Sequence, residues 1–388
     1  MAVQLKPEHI HLLNQIAKKE NMENFIMETK TMDQEGYLSR IVLVTMKDGR
    51  KQLDLAVKLR HSTGFQNFET AIVYKVEIFM YETVFDVFEK FTRNSGMKNL
   101  TLNVPKYYGR HELDCLVMEN LNVSEYRLWN RKVPMNSEHL SLVMKSYAKL
   151  HSVSFAMKNK EPAQFAELVK GLLKCRDNEN LQAYADFFKN ALQAGFIASK
   201  GSARASGIMV KLQEKMPKIE EIFKFDLDSH VLVHADCHPN NMMFKYDSSK
   251  NPLTVSLIDW QMVRLSTPVL DLAYFLLTCS SKNDLDNYKK YLKLYHDELS
   301  RNLTEMSCNP DEIFPYSQLE LHWQKCSIIG MYTALLVIKL SLFEKSEIGH
   351  EEEGGDFYKQ FSIDQINADE YKKRILDVLF FMEEKHLV

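Results

Sequence analysis

Hydrophobic positions change their period along the chain. Behind Pro7, a residue suited to a first helical turn, Ile10, Leu13, Ile16 and Ala17 recur at helical spacing and predict an amphipathic helix. Residues 38–46 and 52–59 are instead alternating or β-branched runs, joined by Lys47-Asp48-Gly49-Arg50-Lys51. Asp-Gly between two such runs predicts a β-hairpin. A helix follows over 71–90, then two strands over 102–108 and 113–119 about a Gly109-Arg110 turn. Helices are predicted over 137–157 and 161–195, and short strands over 231–233, 242–246 and 253–258. Thr267 as N-cap and Pro268 at the first helical position open a further helix, and amphipathic helices fill the remainder. Hairpin, helix, hairpin makes a small antiparallel sheet carrying one helix, followed by a larger, mainly helical body. The fold class is therefore α+β, with a division at 1–120 and 121–388.

Composition narrows the options. The chain has 388 residues, 45% of them hydrophobic and 26% charged, and only 13 glycines and 10 prolines. That is a globular, helix-rich composition, not a disordered or collagen-like one. The net charge of −3 gives no electrostatic reason to expect nucleic acid or an anionic membrane as partner. The most lipid-like run, between Lys325 and Lys339, is shorter than the ~20 residues a span needs and reads as a buried helix. The first twenty residues lack the apolar core of a signal peptide. Six cysteines stand far apart with no Cys-x-x-Cys pair, so free thiols in a reducing cytoplasm are expected. No obligate protein partner is evident.

The chemistry concentrates in HADCHPNNMMF and the following LIDWQ. Folding the hairpin between them brings Asp236, Asn241 and Asp259 to one end of the sheet. Two carboxylates and a carboxamide at a strand end suit a hard, oxygen-preferring cation such as Mg²⁺, and Mg²⁺ in turn binds phosphate oxygens. In a phosphoryl-transfer site one carboxylate orients the attacking hydroxyl, while the carboxamide and second carboxylate hold metal. Taken alone, Asp-x-x-x-x-Asn is ordinary turn sequence. A competing reading makes His234-x-Asp236 half of an iron site completed by His296 or His322, although both of those sit in helical patterns.

A phosphate-handling site also needs a strand lysine and a helix glutamate to hold it. Strand alternation puts Leu53, Leu55, Val57 and Leu59 on one face and Lys58 on the other, beside small Ala56. On the 71–90 helix, Lys75, Glu82, Asp86 and Glu89 occupy the polar side, whereas Glu77 falls at the margin of the apolar stripe. A carboxylate there wants a partner, and Lys58 is the candidate. The segment before the hairpin carries one glycine, Gly36, and does not match a Gly-x-Gly-x-x-Gly loop; it serves phosphates or is a plain turn.

These motifs resemble the choline kinase and aminoglycoside phosphotransferase superfamily, and in particular its ecdysteroid kinase-like (CHK kinase-like) branch. His-x-Asp-x-x-x-x-Asn, Ile-Asp-Trp-Gln, the Asp271-Leu-x-Tyr-Phe pattern, Glu77 with Tyr81, and Leu116 to Leu121 carry the likeness, from about Gly36 to Phe275. The resemblance implies a two-lobed, protein-kinase-like fold with ATP between the lobes and adenine near Met118 and Glu119. By it Asp236 is catalytic, Asn241 and Asp259 hold Mg²⁺, Lys58 contacts phosphates, Glu77 braces Lys58, and His234 and Asp271 are scaffold. Ala235 stands where glycine is common and His238 where tryptophan is common. The implied activity is ATP-dependent phosphorylation of a small-molecule hydroxyl, favouring an ecdysteroid or similar lipophilic alcohol. Choline, ethanolamine or aminoglycoside acceptors, and a ligand-binding protein without turnover, are the alternatives.

Overall fold

The computed structural model describes residues 5–31, 39–49, 51–60, 70–96, 102–177, 181–343 and 367–388. Helix α1 (Pro7–Lys19) precedes strands β1 (Ile26–Thr31), β2 (Ser39–Lys47) and β3 (Gln52–Arg60). A long helix follows in three connected pieces: α2 (Thr70–Phe79), a π-helical turn (Met80–Val84) and α3 (Phe85–Asn94). Strands β4 (Tyr107–His111) and β5 (Cys115–Glu119) complete a five-stranded sheet of order β1-β2-β3-β5-β4, antiparallel throughout.

Alternation decides what each face of that sheet meets. Leu55, Val57, Leu59, Cys115 and Val117 pack with Leu13, Ile16 and Ala17 of α1. Leu116 and Met118 point the other way and join the main core with Val73, Val76 and Val84. Both faces of β5 are thus covered, so its residues form an unbroken apolar run instead of an alternating one.

Several boundaries differ from expectation. The sheet starts earlier, because β1 is a largely exposed edge strand whose polar sequence hides it. The strand expected over 102–108 is displaced to Tyr107–His111, and its turn falls after it, not at Gly109-Arg110. Glu112 takes a left-handed φ of 40°, and the Asp114 N–H donates to the His111 carbonyl at 3.2 Å. Gly109, with φ 149°, sits instead where the β4–β5 register shifts. The helix expected over 71–90 runs on to Asn94 through the π turn, and that over 161–195 is two helices, Pro162–Cys175 and Leu181–Ser199.

Beyond β5 the chain is mostly helical. Helix α4 (Ser137–Lys160) is capped by Asn136, whose side chain accepts the His139 N–H. Five short strands interrupt the helices: β6 (Arg127–Leu128), β7 (Val231–Val233), β8 (Met242–Tyr246), β9 (Pro252–Leu257) and β10 (Arg264–Ser266). They pair as β6-β8-β9 and β10-β7. The segment 310–342 is long and apolar enough to cross a membrane by length and composition, yet 89% of its apolar window is buried inside the protein. Its helix, Tyr316–Leu342, crosses the helix Val269–Cys279 at Gly330. A Cβ at Gly330 would stand 2.5 Å from the Ala273 carbonyl carbon and 2.7 Å from its oxygen. Backbone cannot yield as a side chain does. Gly330→Ala is therefore expected to lower stability by about 1–3 kcal/mol, seen as a reduced Tm in thermal denaturation. An unchanged Tm would contradict so close a crossing.

Candidate active site

Lys58 lies on β3, opposite Leu116 of β5, with its side chain on the face away from α1. Its ammonium is buried and donates to two carboxylates at once, Glu77 Oε2 at 2.6 Å and Asp259 Oδ1 at 2.6 Å. Glu77 comes from α2, one turn before the π-helical segment, and is 1% exposed. Asp259 follows β9, some two hundred residues further along the chain. Such charges are tolerated inside only when paired. Burial works against the Lys58 charge, but Asp259 and Glu77 outweigh it and hold the amine protonated. Burial pushes the Glu77 carboxyl up to about 7, with Lys58 opposing. Lys58 also stands 5.6 Å from the centre of the Tyr74 ring.

The loop leaving β7 is organised by a fully buried carboxylate, Asp271. Asp271 Oδ2 accepts the His234 N–H at 2.8 Å, and Oδ1 accepts the Ala235 N–H at 2.8 Å. His151 Nε2 lies 3.1 Å from Oδ2 and supports the same group. Burial opposes ionisation of Asp271, yet the bond from His151 and the nearby imidazoles hold it below the usual carboxylate range. Ala235 takes a left-handed φ of 62°, a conformation that glycine adopts without the steric cost a Cβ brings. Asp259 takes a left-handed φ of 64° as well.

Asp236 is gripped at both oxygens. The Tyr274 hydroxyl donates to Oδ1 at 3.1 Å and Asn241 Nδ2 to Oδ2 at 2.8 Å, while His238 Nε2 lies 3.4 Å from Oδ1. Burial favours the neutral acid, but His238, His234 and Tyr274 together lower its pKa, so Asp236 is a carboxylate at neutral pH. The Asn241 carbonyl accepts the Ile258 N–H at 3.0 Å, and His234 Nε2 lies 3.0 Å from the Ile258 carbonyl. Those two bonds tie the loop to the residue preceding Asp259. Asp236, Asn241 and Asp259 consequently share one corner, with Lys58 and Glu77 joined to it through Asp259. Trp260 wedges the corner in place, packing edge-on to Phe85 at 4.9 Å and against His234 at 4.7 Å.

One oxygen of Asp259 is bonded to Lys58, and no hydrogen bond reaches Asn241 Oδ1 among the described residues. The remaining oxygens make a hard donor pair of the kind Mg²⁺ accepts alongside phosphate and water. The iron-site alternative fails, because the expected third ligands are engaged elsewhere. His296 Nε2 lies 2.9 Å from the Phe314 carbonyl, and His322 bridges Thr267 and Asp226. Met118 and Glu119 end β5 where it leaves the sheet. The Glu119 and Asn120 N–H groups donate to the Lys106 and Asp54 carbonyls, which leaves the Leu121 N–H without a partner among the described residues. The phosphate-loop expectation at Gly36 falls outside the described residues. Sequence reasoning gave no role to Tyr274 or His238. The available signal was a phenol inside the mostly apolar Val269–Cys279 helix, where a buried hydroxyl requires an acceptor.

A strand lysine braced by a helix glutamate, facing a histidine-aspartate loop and a second carboxylate beneath an antiparallel sheet, defines a kinase-like fold. The sequence pattern of the ecdysteroid kinase-like family matches residues 33–308, and the chain belongs to that family. Among solved structures, the ethanolamine kinase of Plasmodium vivax aligns over 100% of this chain and 93% of its own, with a TM-score of 0.52 and 14% identity. At that identity the likeness is one of fold. A spectinomycin phosphotransferase in complex with ADP and its antibiotic aligns over 100% of both chains at 12% identity, with a TM-score of 0.44. A microcompartment-associated aminopropanol kinase covers 97% of each at 13% identity, also with a TM-score of 0.44. No curated protein is similar enough in sequence to count as a relative.

Removing the Asp271 carboxylate strands two buried backbone donors. Asp271→Ala should therefore cost at least about 2 kcal/mol in urea denaturation. A stability equal to the parent chain's would show that the loop does not hang on this group.

Proposed function

We propose that this chain is an ATP- and magnesium-dependent small-molecule kinase that transfers the γ-phosphoryl group to an alcohol, and that its acceptor is an ecdysteroid or a similar lipophilic alcohol. The observation that carries the reading is the pair of 2.6 Å bonds from Lys58 to Glu77 and Asp259, set beside a carboxylate held at both oxygens. In this reading the two lobes divide after Asn120, and adenine sits against backbone near Met118 and Glu119, where the Leu121 N–H offers a donor.

Lys58 would contact phosphate oxygens while Glu77 keeps its ammonium aimed. Asp236 accepts the hydrogen bond of the acceptor hydroxyl and orients its oxygen in line with the phosphoryl group; Tyr274 and Asn241 stop the carboxylate from rotating. Asn241 and Asp259 would hold Mg²⁺, which neutralises charge on the transferring group. Phosphoryl transfer proceeds through a loose transition state, so positioning and charge neutralisation supply most of the acceleration. Family membership favours the lipophilic acceptor.

Asp236→Asn and Asp259→Ala are each expected to lower turnover by roughly 10²–10⁴, measured as magnesium-dependent ADP release with a panel of ecdysteroids and amino alcohols. Full turnover by Asp259→Ala would remove it from the metal site. Lys58→Ala should disturb KM for ATP, kcat or both; unchanged kinetics would take Lys58 out of the site. A chain that binds steroid yet releases no ADP with any acceptor is a ligand-binding protein instead.

A further inference from the structure

The first turn of α1 meets the turn between β4 and β5 on the outer face of the sheet. The residues brought together there serve neither the nucleotide nor the acceptor in the reading above. Helix α1 delivers His9, 3% exposed, and the turn delivers His111 and Asp114. His9 Nε2 stands 3.2 Å from Asp114 Oδ2, and His111 Nδ1 stands 3.0 Å from Asp114 Oδ1. The two rings approach edge to face, with centres 5.9 Å apart. All three prospective ligand atoms lie within 4.8 Å of one another.

We propose that His9, His111 and Asp114 form a binding site for a zinc-like transition-metal ion that pins α1 to the β4–β5 hairpin. Two imidazoles and a carboxylate are a donor set that Zn²⁺ and Co²⁺ take. Metal–ligand bonds of ~2.0–2.2 Å in a tetrahedron set neighbouring donors about 3.3–3.5 Å apart. The two imidazole–carboxylate separations, each to its own Asp114 oxygen, are 3.2 and 3.0 Å, slightly short of that. The His111 and Asp114 side chains are 32% and 25% exposed, which leaves room for rotation and a water-facing position for the remaining ligand.

Two groups must give way. Lys6 Nζ lies 3.3 Å from Asp114 Oδ2, but its side chain is 58% exposed. An exposed ion pair of that sort contributes little and is displaced cheaply. Metal at His9 Nε2 puts the ring proton on Nδ1, which surrenders the long 3.4 Å bond from the Lys6 N–H. In exchange the helix gains a cross-link beyond the packing of Leu13, Ile16 and Ala17. The site lies on the α1 side of the sheet, opposite Lys58, so the ion is separate from phosphoryl chemistry.

The test uses the full chain, freed of metal with a chelator, titrated with Zn²⁺ by calorimetry and with Co²⁺ by visible absorption. The parent chain should take one tightly bound ion and gain in Tm. His111→Ala and Asp114→Asn should each weaken binding by about tenfold or more and lose the Co²⁺ bands. Melting without metal verifies that both variants are folded. Lys6→Ala, which removes only the competing ammonium, should bind as tightly as the parent or more so. Equal affinity in the parent and His111→Ala, or no saturable binding by the parent, overturns the proposal.

Discussion

The ammonium of Lys58 joins parts of the chain that lie far apart in sequence. It reaches Glu77 on the helix beside the sheet and Asp259 at the end of a hairpin in the helical body, at 2.6 Å in each case. Two of these three charges, on Lys58 and Glu77, are buried and costly to desolvate, and the mutual bonds of the triad offset that cost. Breaking a buried pair by deleting one partner costs about 3–5 kcal/mol because the other charge is left exposed to a low dielectric. The triad therefore constrains the relative placement of β3, α2 and the corner after β9. Trp260, packed between Phe85 and His234, transmits the same constraint to the neighbouring loop.

Asp271 plays the complementary part on the other side of Asp236. It spends its charge on backbone N–H groups of the loop and on His151, and touches neither nucleotide nor acceptor in the proposed chemistry. Around it the peptide adopts conformations that side chains resist, with Ala235 and Asp259 both left-handed. Strain of this kind persists only where surrounding bonds over-determine the backbone. The corner is thus over-determined by its own bonds, which suits the proposed phosphoryl transfer, where placement supplies most of the acceleration.

The chain's local patterns made much of this legible. Period-2 alternation put Lys58 on the face away from Leu55 and Val57, and the Glu77 anomaly on an amphipathic helix named its partner. The hairpin between the two acidic motifs implied their convergence. What escaped depended on tertiary context. Strand β1 is polar because it is an exposed edge, so nothing in its period marks it. The turn before β5 uses a left-handed Glu112 and the hydrogen bond from Asp114 to His111, while the glycine that suggested a turn serves a register shift in β4. Tyr274 meets Asp236 because helix Val269–Cys279 is packed beneath the loop; the phenol in that helix signals that an acceptor is needed, but not which one.

In the proposed function Asp259 has two allegiances, one to the Lys58 amine and one to a divalent ion carried with phosphate. Calorimetric titration of ADP, with and without Mg²⁺, into the parent chain and into Asp259→Asn tests this most directly. Mg²⁺ should tighten ADP binding by the parent, and the gain should disappear in the variant. ADP affinity indifferent to Mg²⁺ in the parent, or an undiminished gain in Asp259→Asn, would contradict it.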